Sequence, residues 1–132
     1  MKKILLAVED ERPLLQAIRE KFTSEGFNVV TASNGQEGLE AAFKDRPNII
    51  LLDILMPEMN GIAMLDKLRE DEWGKTVPVI ALTNVDSEET IQQLKQKGVG
   101  EYLIKSNWPM SNIVEIVNKA LEVAKVRADM EK

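Results

Sequence analysis

The stretch Asn48–Gly61, NIILLDILMPEMNG, opens with four consecutive apolar residues, Ile49 to Leu52, and stops at a carboxylate, Asp53. A continuous apolar run of this length reads as a strand buried on both faces. Met56-Pro57 breaks regular structure, and Asn60-Gly61 turns the chain into a helix carrying Met64, Leu65 and Leu68 on one face. An acid where a buried strand emerges is rigidly held and half exposed, a good place for chemistry.

Working outward, Ile4 to Val8 is a second such run, and it too ends in acids: Glu9, Asp10 and Glu11. Pro13 suits the first turn of a helix whose apolar face is Leu14, Leu15, Ile18 and Phe22, closed by Gly26. Phe27 to Ala32 is a β-branched strand. Ser33 with Gln36 resembles a capping box for a helix buried through Leu39, Ala42 and Phe43. Beyond Gly61, the helix dissolves around Arg69 to Glu72. Val77 to Leu82 is the fourth strand, with Thr83 at its end. Asp86, Ser87 and Glu89 start a fourth helix, anchored only by Ile91 and Leu94 and closed by Gly98. Glu101 to Ile104 is a fifth strand containing Tyr102 and closed by Lys105. Pro109 starts a long helix facing inward through Ile113, Ile116, Val117, Ala120, Leu121 and Ala124, with a tail that frays after Val126.

Strands alternating with helices predict an α/β fold: a five-stranded parallel sheet flanked by five helices, doubly wound, in the order 2-1-3-4-5. The 132 residues are expected to form one domain, 1–132, with a core of 2–126 and a tail of 127–132. Composition narrows the chemistry. With no Cys, thiolate catalysis and zinc–thiolate sites are excluded; with no His, the commonest general base and metal ligand are gone. A net charge of −5 argues against a direct grip on nucleic acid. No segment has the apolar length of a membrane span or a signal-peptide core, so the expected location is the cytoplasm.

In a parallel α/β sheet the C-terminal strand ends share one edge, and that edge holds the site. Here it collects Glu9 and Asp10, with Glu11 as a further candidate from the same strand, and Asp53, Thr83 and Lys105. With strands one and three adjacent, three carboxylates meet within a few ångströms and would raise one another's pKa. A hard divalent cation such as Mg²⁺ relieves that conflict. Metal, hydroxyl and ammonium together cradle a tetrahedral anion such as phosphate, and a carboxylate inside the cradle can act as nucleophile. Each residue taken alone has a plainer reading. Glu11 is more simply a helix cap, Thr83 a cap, Lys105 a solvated lysine and Tyr102 a half-buried core aromatic. The argument rests on four strand ends presenting compatible chemistry on one edge.

These residues resemble the receiver domain of bacterial two-component response regulators, close in size to the stand-alone chemotaxis type, with the flavodoxin-like fold. Asp53-Ile54-Leu55-Met56-Pro57-Glu58-Met59-Asn60-Gly61 fits the family's D-x-x-M-P-x-M-[DN]-G. Glu9 and Asp10 match its acid pair, Thr83 its hydroxyl, Tyr102 its aromatic switch and Lys105 its lysine. The resemblance implies that Asp53 accepts a phosphoryl group from a histidine kinase or histidine phosphotransfer protein. It also implies that Mg²⁺ is bound by Asp10, Asp53, the backbone carbonyl of Leu55 and waters, with Glu9 reaching it through water. Thr83 would move toward the phosphate, Tyr102 would swing inward, and the face of helix four, strand five and helix five would change shape for a partner. The chain would catalyse only its own phosphorylation and dephosphorylation.

Three departures from the family pattern stand out. Glu9 replaces the commoner Asp. Lys105 is followed by Ser106 where the family has Pro; a cis bond there costs roughly 3 kcal/mol, so the loop is either trans and remodelled or cis and held by Asn107 and Trp108. Leu55 and Val85 stand two residues beyond Asp53 and Thr83, positions that in the family flank the path of the hydrolytic water; neither side chain can orient a water, and the resemblance then implies a long-lived phosphoryl group. Two other readings stay open: a receiver-like binding module that works without phosphate, and a haloacid-dehalogenase-type phosphatase, which would need an acid where Leu55 stands. Output is expected through a downstream protein, through phosphate relay, or through a homodimer. Glu88, Gln92, Lys95, Gln96, Glu101, Trp108 and Lys119 are placed on or beside the partner face.

Overall fold

The computed structural model describes residues 2–56, 59–83, 88–105 and 109–130. The elements alternate as expected. They are β1 (Ile4–Val8), α1 (Arg12–Ser24), β2 (Asn28–Ala32), α2 (Gly35–Asp45), β3 (Ile49–Asp53), α3 (Gly61–Glu70), β4 (Val79–Thr83), α4 (Glu88–Gln96), β5 (Glu101–Ile104) and α5 (Met110–Met130). The five strands are parallel and ordered β2-β1-β3-β4-β5.

Strand periodicity explains the two cores. Leu6, Val8, Ile50, Leu52, Val79 and Ala81 point to one face, where Ala42 of α2, Met64, Leu65 and Leu68 of α3 and Leu94 of α4 cover them. Leu5, Ala7, Ile49, Leu51, Ile80, Leu82 and Leu103 point to the other, beneath Ile18 and Phe22 of α1 and Ile113, Val114 and Val117 of α5. β3 and β4 are buried at every residue, which is why their sequences are apolar throughout rather than alternating.

Several local expectations are corrected. The cap of α2 sits one residue later than the Ser33–Gln36 reading. Asn34, with extended backbone, accepts from the Glu37 N–H at 2.8 Å, and Glu37 Oε1 accepts from the Ser33 N–H and hydroxyl at 2.9 and 2.7 Å. Phe43 does not enter the core. It is 40% exposed and packs edge-on against Trp73, with the Arg46 guanidinium over the indole. The helix expected to dissolve at Arg69 keeps that residue, which binds four carbonyls. Nε donates to Lys97 O (2.8 Å), Nη1 to Gly74 O (2.7 Å) and Val77 O (2.8 Å), and Nη2 to Gly98 O (3.1 Å). α5 continues through the alternating charges to Met130 instead of fraying after Val126, and it buries Val114, which the face reading left out. The N-terminal signals Asp86 and Ser87 lie outside the described residues.

Candidate functional site

β1 and β3 are neighbours in register, Val8 beside Leu52, so Asp53 and the residues after Val8 emerge together. β3 pairs with β4 through Asp53 and Leu82, and β4 with β5 through Thr83 and Ile104. Thr83 and Lys105 therefore leave the sheet on the same edge. The backbone after Asp53 is pulled back on itself: Gly61 N–H donates to Ile54 O at 3.0 Å. A Cβ on Gly61 would lie 2.6 Å from the Asp53 carbonyl oxygen, so the close approach requires glycine. Asn60 then caps α3, accepting from Ala63 N–H at 2.9 Å.

The expected residues are brought together. Asp53 and Glu9 are each 1% exposed and Thr83 is fully buried, while Asp10 faces solvent. One carboxylate oxygen each of Glu9, Asp10 and Asp53 falls within a 4.8 Å group. Lys105 points into the site. Its ammonium donates to Asp53 Oδ2 at 3.0 Å and lies 2.6 Å from Glu9 Oε1. The Leu55 N–H donates to Asp53 Oδ1 at 3.2 Å, and the Leu55 side chain is 57% exposed beside the site. Tyr102 is partly buried and packs against the α2–α3–α4 core face. Val85 and the Lys105–Ser106 bond with Asn107 and Trp108 lie outside the described residues. Glu88, Gln92, Lys95, Gln96, Glu101 and Lys119 are all exposed.

The electrostatics are unbalanced. Burial, with Glu9 beside it, pushes the Asp53 carboxyl up to about 8, against the downward pull of Lys105. Burial also pulls on Lys105, but Glu9 and Asp53 more than offset it and hold the ammonium above the ordinary lysine range. Glu9 Oε1 is buried and its close cationic partner is the Lys105 ammonium at 2.6 Å, which it shares with Asp53. Three carboxylates that each offer an oxygen within 4.8 Å of the others, with a single buried ammonium among them, fit a hard divalent cation with oxygen ligands.

One contact was not anticipated. Glu11 occupies the cap position of α1 but its side chain caps nothing. Its Oε1 instead lies 3.6 Å from the Lys105 ammonium. The only hint in the sequence is the third acid in Glu9-Asp10-Glu11.

Comparison with known proteins agrees with this geometry. The chemotaxis protein CheY4 of Vibrio cholerae superimposes with a TM-score of 0.85 and 28% identity, covering 91% of this chain and 99% of CheY4. An uncharacterised 14.6 kDa protein of Leptolyngbya boryana is 33% identical over 109 residues, covering 83% of each chain. Response regulator PleD of Caulobacter vibrioides is 34% identical over 101 residues; that match takes in 76% of this chain and 22% of PleD. No helix among the described residues is long and apolar enough to cross a membrane. With residues 5–118 matching the response regulator receiver domain, the chain belongs to that family.

Proposed function

We propose that the chain is a phosphorylation-driven signalling switch in which Asp53 receives a phosphoryl group from a phosphohistidine on a separate kinase or phosphotransfer protein. The observation that carries this reading is Asp53 itself: buried, at the end of a central strand, and bonded to Lys105 at 3.0 Å. In the transfer, an Asp53 carboxylate oxygen forms a bond to phosphorus. The P–N bond to the imidazole breaks, and its electron pair returns to the ring nitrogen. Lys105, already on Asp53, is positioned to hold a phosphoryl oxygen, and the Thr83 hydroxyl to bind another. Glu9, Asp10 and Asp53, with the Leu55 carbonyl, would hold Mg²⁺, which supplies charge neutralisation at the acceptor.

On this reading the chain acts on no external metabolite, works in the cytoplasm, and passes its signal to a downstream protein or a second copy. Thr83 and Tyr102 would carry the change to the β5 side. A dehalogenase-type phosphatase needs an acid two residues after the nucleophile, and Leu55 stands there. Isothermal titration with beryllofluoride and Mg²⁺ tests the proposal. Tight binding that is lost in Asp53→Asn is expected; equal binding by the variant, or none by the wild type, would overturn it.

A further inference from the structure

Glu11 is held in an unusual position for a cap residue. Its N–H donates to Glu9 Oε2 at 3.0 Å, and its carbonyl accepts from Leu15 N–H at 2.9 Å, so its backbone is fixed. The side chain accepts no helix N–H, is 56% exposed, and reaches toward Lys105. One ammonium thus faces three carboxylates: Glu9 at 2.6 Å, Asp53 at 3.0 Å and Glu11 at 3.6 Å. Glu9, Asp10 and Asp53 can share a cation; Glu11 is outside that group. With Lys105 and one divalent cation in place, four carboxylates still leave the site one charge negative. Glu11 is the surplus charge, and it stands at the solvent-exposed mouth.

We propose that Glu11 selects phosphodonors by their charge, slowing transfer to Asp53 from small dianionic donors relative to less anionic N-phosphoryl donors. The inference rests on Asp53 being the phosphoacceptor. In either reaction an Asp53 oxygen bonds to phosphorus. With acetyl phosphate the P–O bond breaks and the pair leaves on acetate. With phosphoramidate the P–N bond breaks and the protonated nitrogen leaves as ammonia. A unit charge one ammonium removed from the acceptor, partly screened by water, changes the approach of a dianion by roughly threefold to tenfold and of a monoanion by about half that exponent. Glu11 also draws on the ammonium that Asp53 uses, so its removal leaves Lys105 to Glu9 and Asp53 alone.

The test compares wild type, Glu11→Gln and Glu11→Asp with Mg²⁺ at low and high salt, measuring aspartyl phosphate formed from acetyl phosphate and from phosphoramidate. Calorimetric titration with Mg²⁺ alone and thermal unfolding are run beside it. Glu11→Gln is expected to raise the acetyl phosphate rate roughly threefold to tenfold and the phosphoramidate rate by less than about threefold, with the difference collapsing in high salt. Glu11→Asp should keep the wild-type ratio, and Glu11→Gln should leave the unfolding temperature unchanged and Mg²⁺ affinity within about threefold. An unchanged donor ratio in Glu11→Gln, equal acceleration of both donors, or an effect that survives high salt would overturn the inference while leaving Asp53 as acceptor. Absence of aspartyl phosphate from either donor in the wild type would instead overturn the acceptor assignment, and the inference with it.

Discussion

Replacing Asp53 by Asn should stabilise the metal-free protein, and more so as pH rises. In the folded chain the Asp53 carboxyl is pushed from an ordinary 3.8 to about 8 by burial and by Glu9. Between those values the native state holds a proton that the unfolded chain has released. Wild-type stability therefore falls as pH rises through that window, the full contribution being present below about 4 and lost above about 8. Moving the carboxyl that far sets a ceiling of about 6 kcal/mol. Relaxation at an effective dielectric nearer 20 than 4 reduces the expectation to about 2–4 kcal/mol. Asparagine has the same shape and no charge to lose. In urea unfolding with EDTA present, followed by circular dichroism from pH 4.5 to 9, the two proteins should be close at pH 4.5. At pH 9 the variant should lead by about 2–4 kcal/mol. Adding Mg²⁺ at pH 8 should stabilise the wild type and leave the variant unmoved, since binding to the native state alone is a stabilising linkage. Parallel pH profiles for the two proteins, or a wild type that grows more stable toward pH 8 in EDTA, would refute the reasoning.

Two further predictions concern other parts of the molecule. Arg69→Met removes charge-assisted bonds to four carbonyls and should cost about 3–5 kcal/mol in denaturant unfolding, with amide exchange accelerated at Lys97, Gly98 and the turn at Gly74; a loss under about 1 kcal/mol would show the bonds to be dispensable. Phosphate loss from Asp53 should be accelerated about tenfold or less in Leu55→Asn and in Val85→Glu, because each adds a group able to orient water; polar variants no faster than wild type would remove these side chains as determinants of lifetime.

The sheet was legible because β3 and β4 are buried on both faces, and that burial leaves an uninterrupted apolar run in the sequence. The site was legible for a related reason: parallel strands deliver their C-terminal ends to one edge, so Asp10, Asp53, Thr83 and Lys105 could be gathered without coordinates. What escaped were interactions decided by long polar side chains. Arg69 looked like the start of a charged turn, because nothing in its neighbours reveals that carbonyls at Lys97 and Gly98, far along the chain, converge on it. Glu11 looked like a cap, since the cap position and the direction of its carboxylate are set by different contacts. Phe43 was counted with the core from helical spacing alone, but at the margin of the stripe it found Trp73 instead. The α2 cap was displaced by one residue because Ser33 and Asn34 are both good cap residues, and only the backbone angle at Asn34 chooses between them.

Two of the four bonds from Arg69, those to Lys97 O and Gly98 O, give α4 a fixed end. Lys97, just past that helix, also pairs with Asp66 of α3, so the C-terminal end of α4 is pinned twice. Leu94, its one buried residue, lies close to the same end. Were such a helix to move in the proposed switch, the pinned end would be its pivot. Nine residues give an arm of about 13 Å, so a rotation of about 10° carries the Glu88 tip roughly 2 Å while the pivot stays still. Displacement is then largest at the tip that follows β4 and Thr83. Under the proposed switch, a movement too small to disturb the core at Leu94 would be expressed chiefly at that tip.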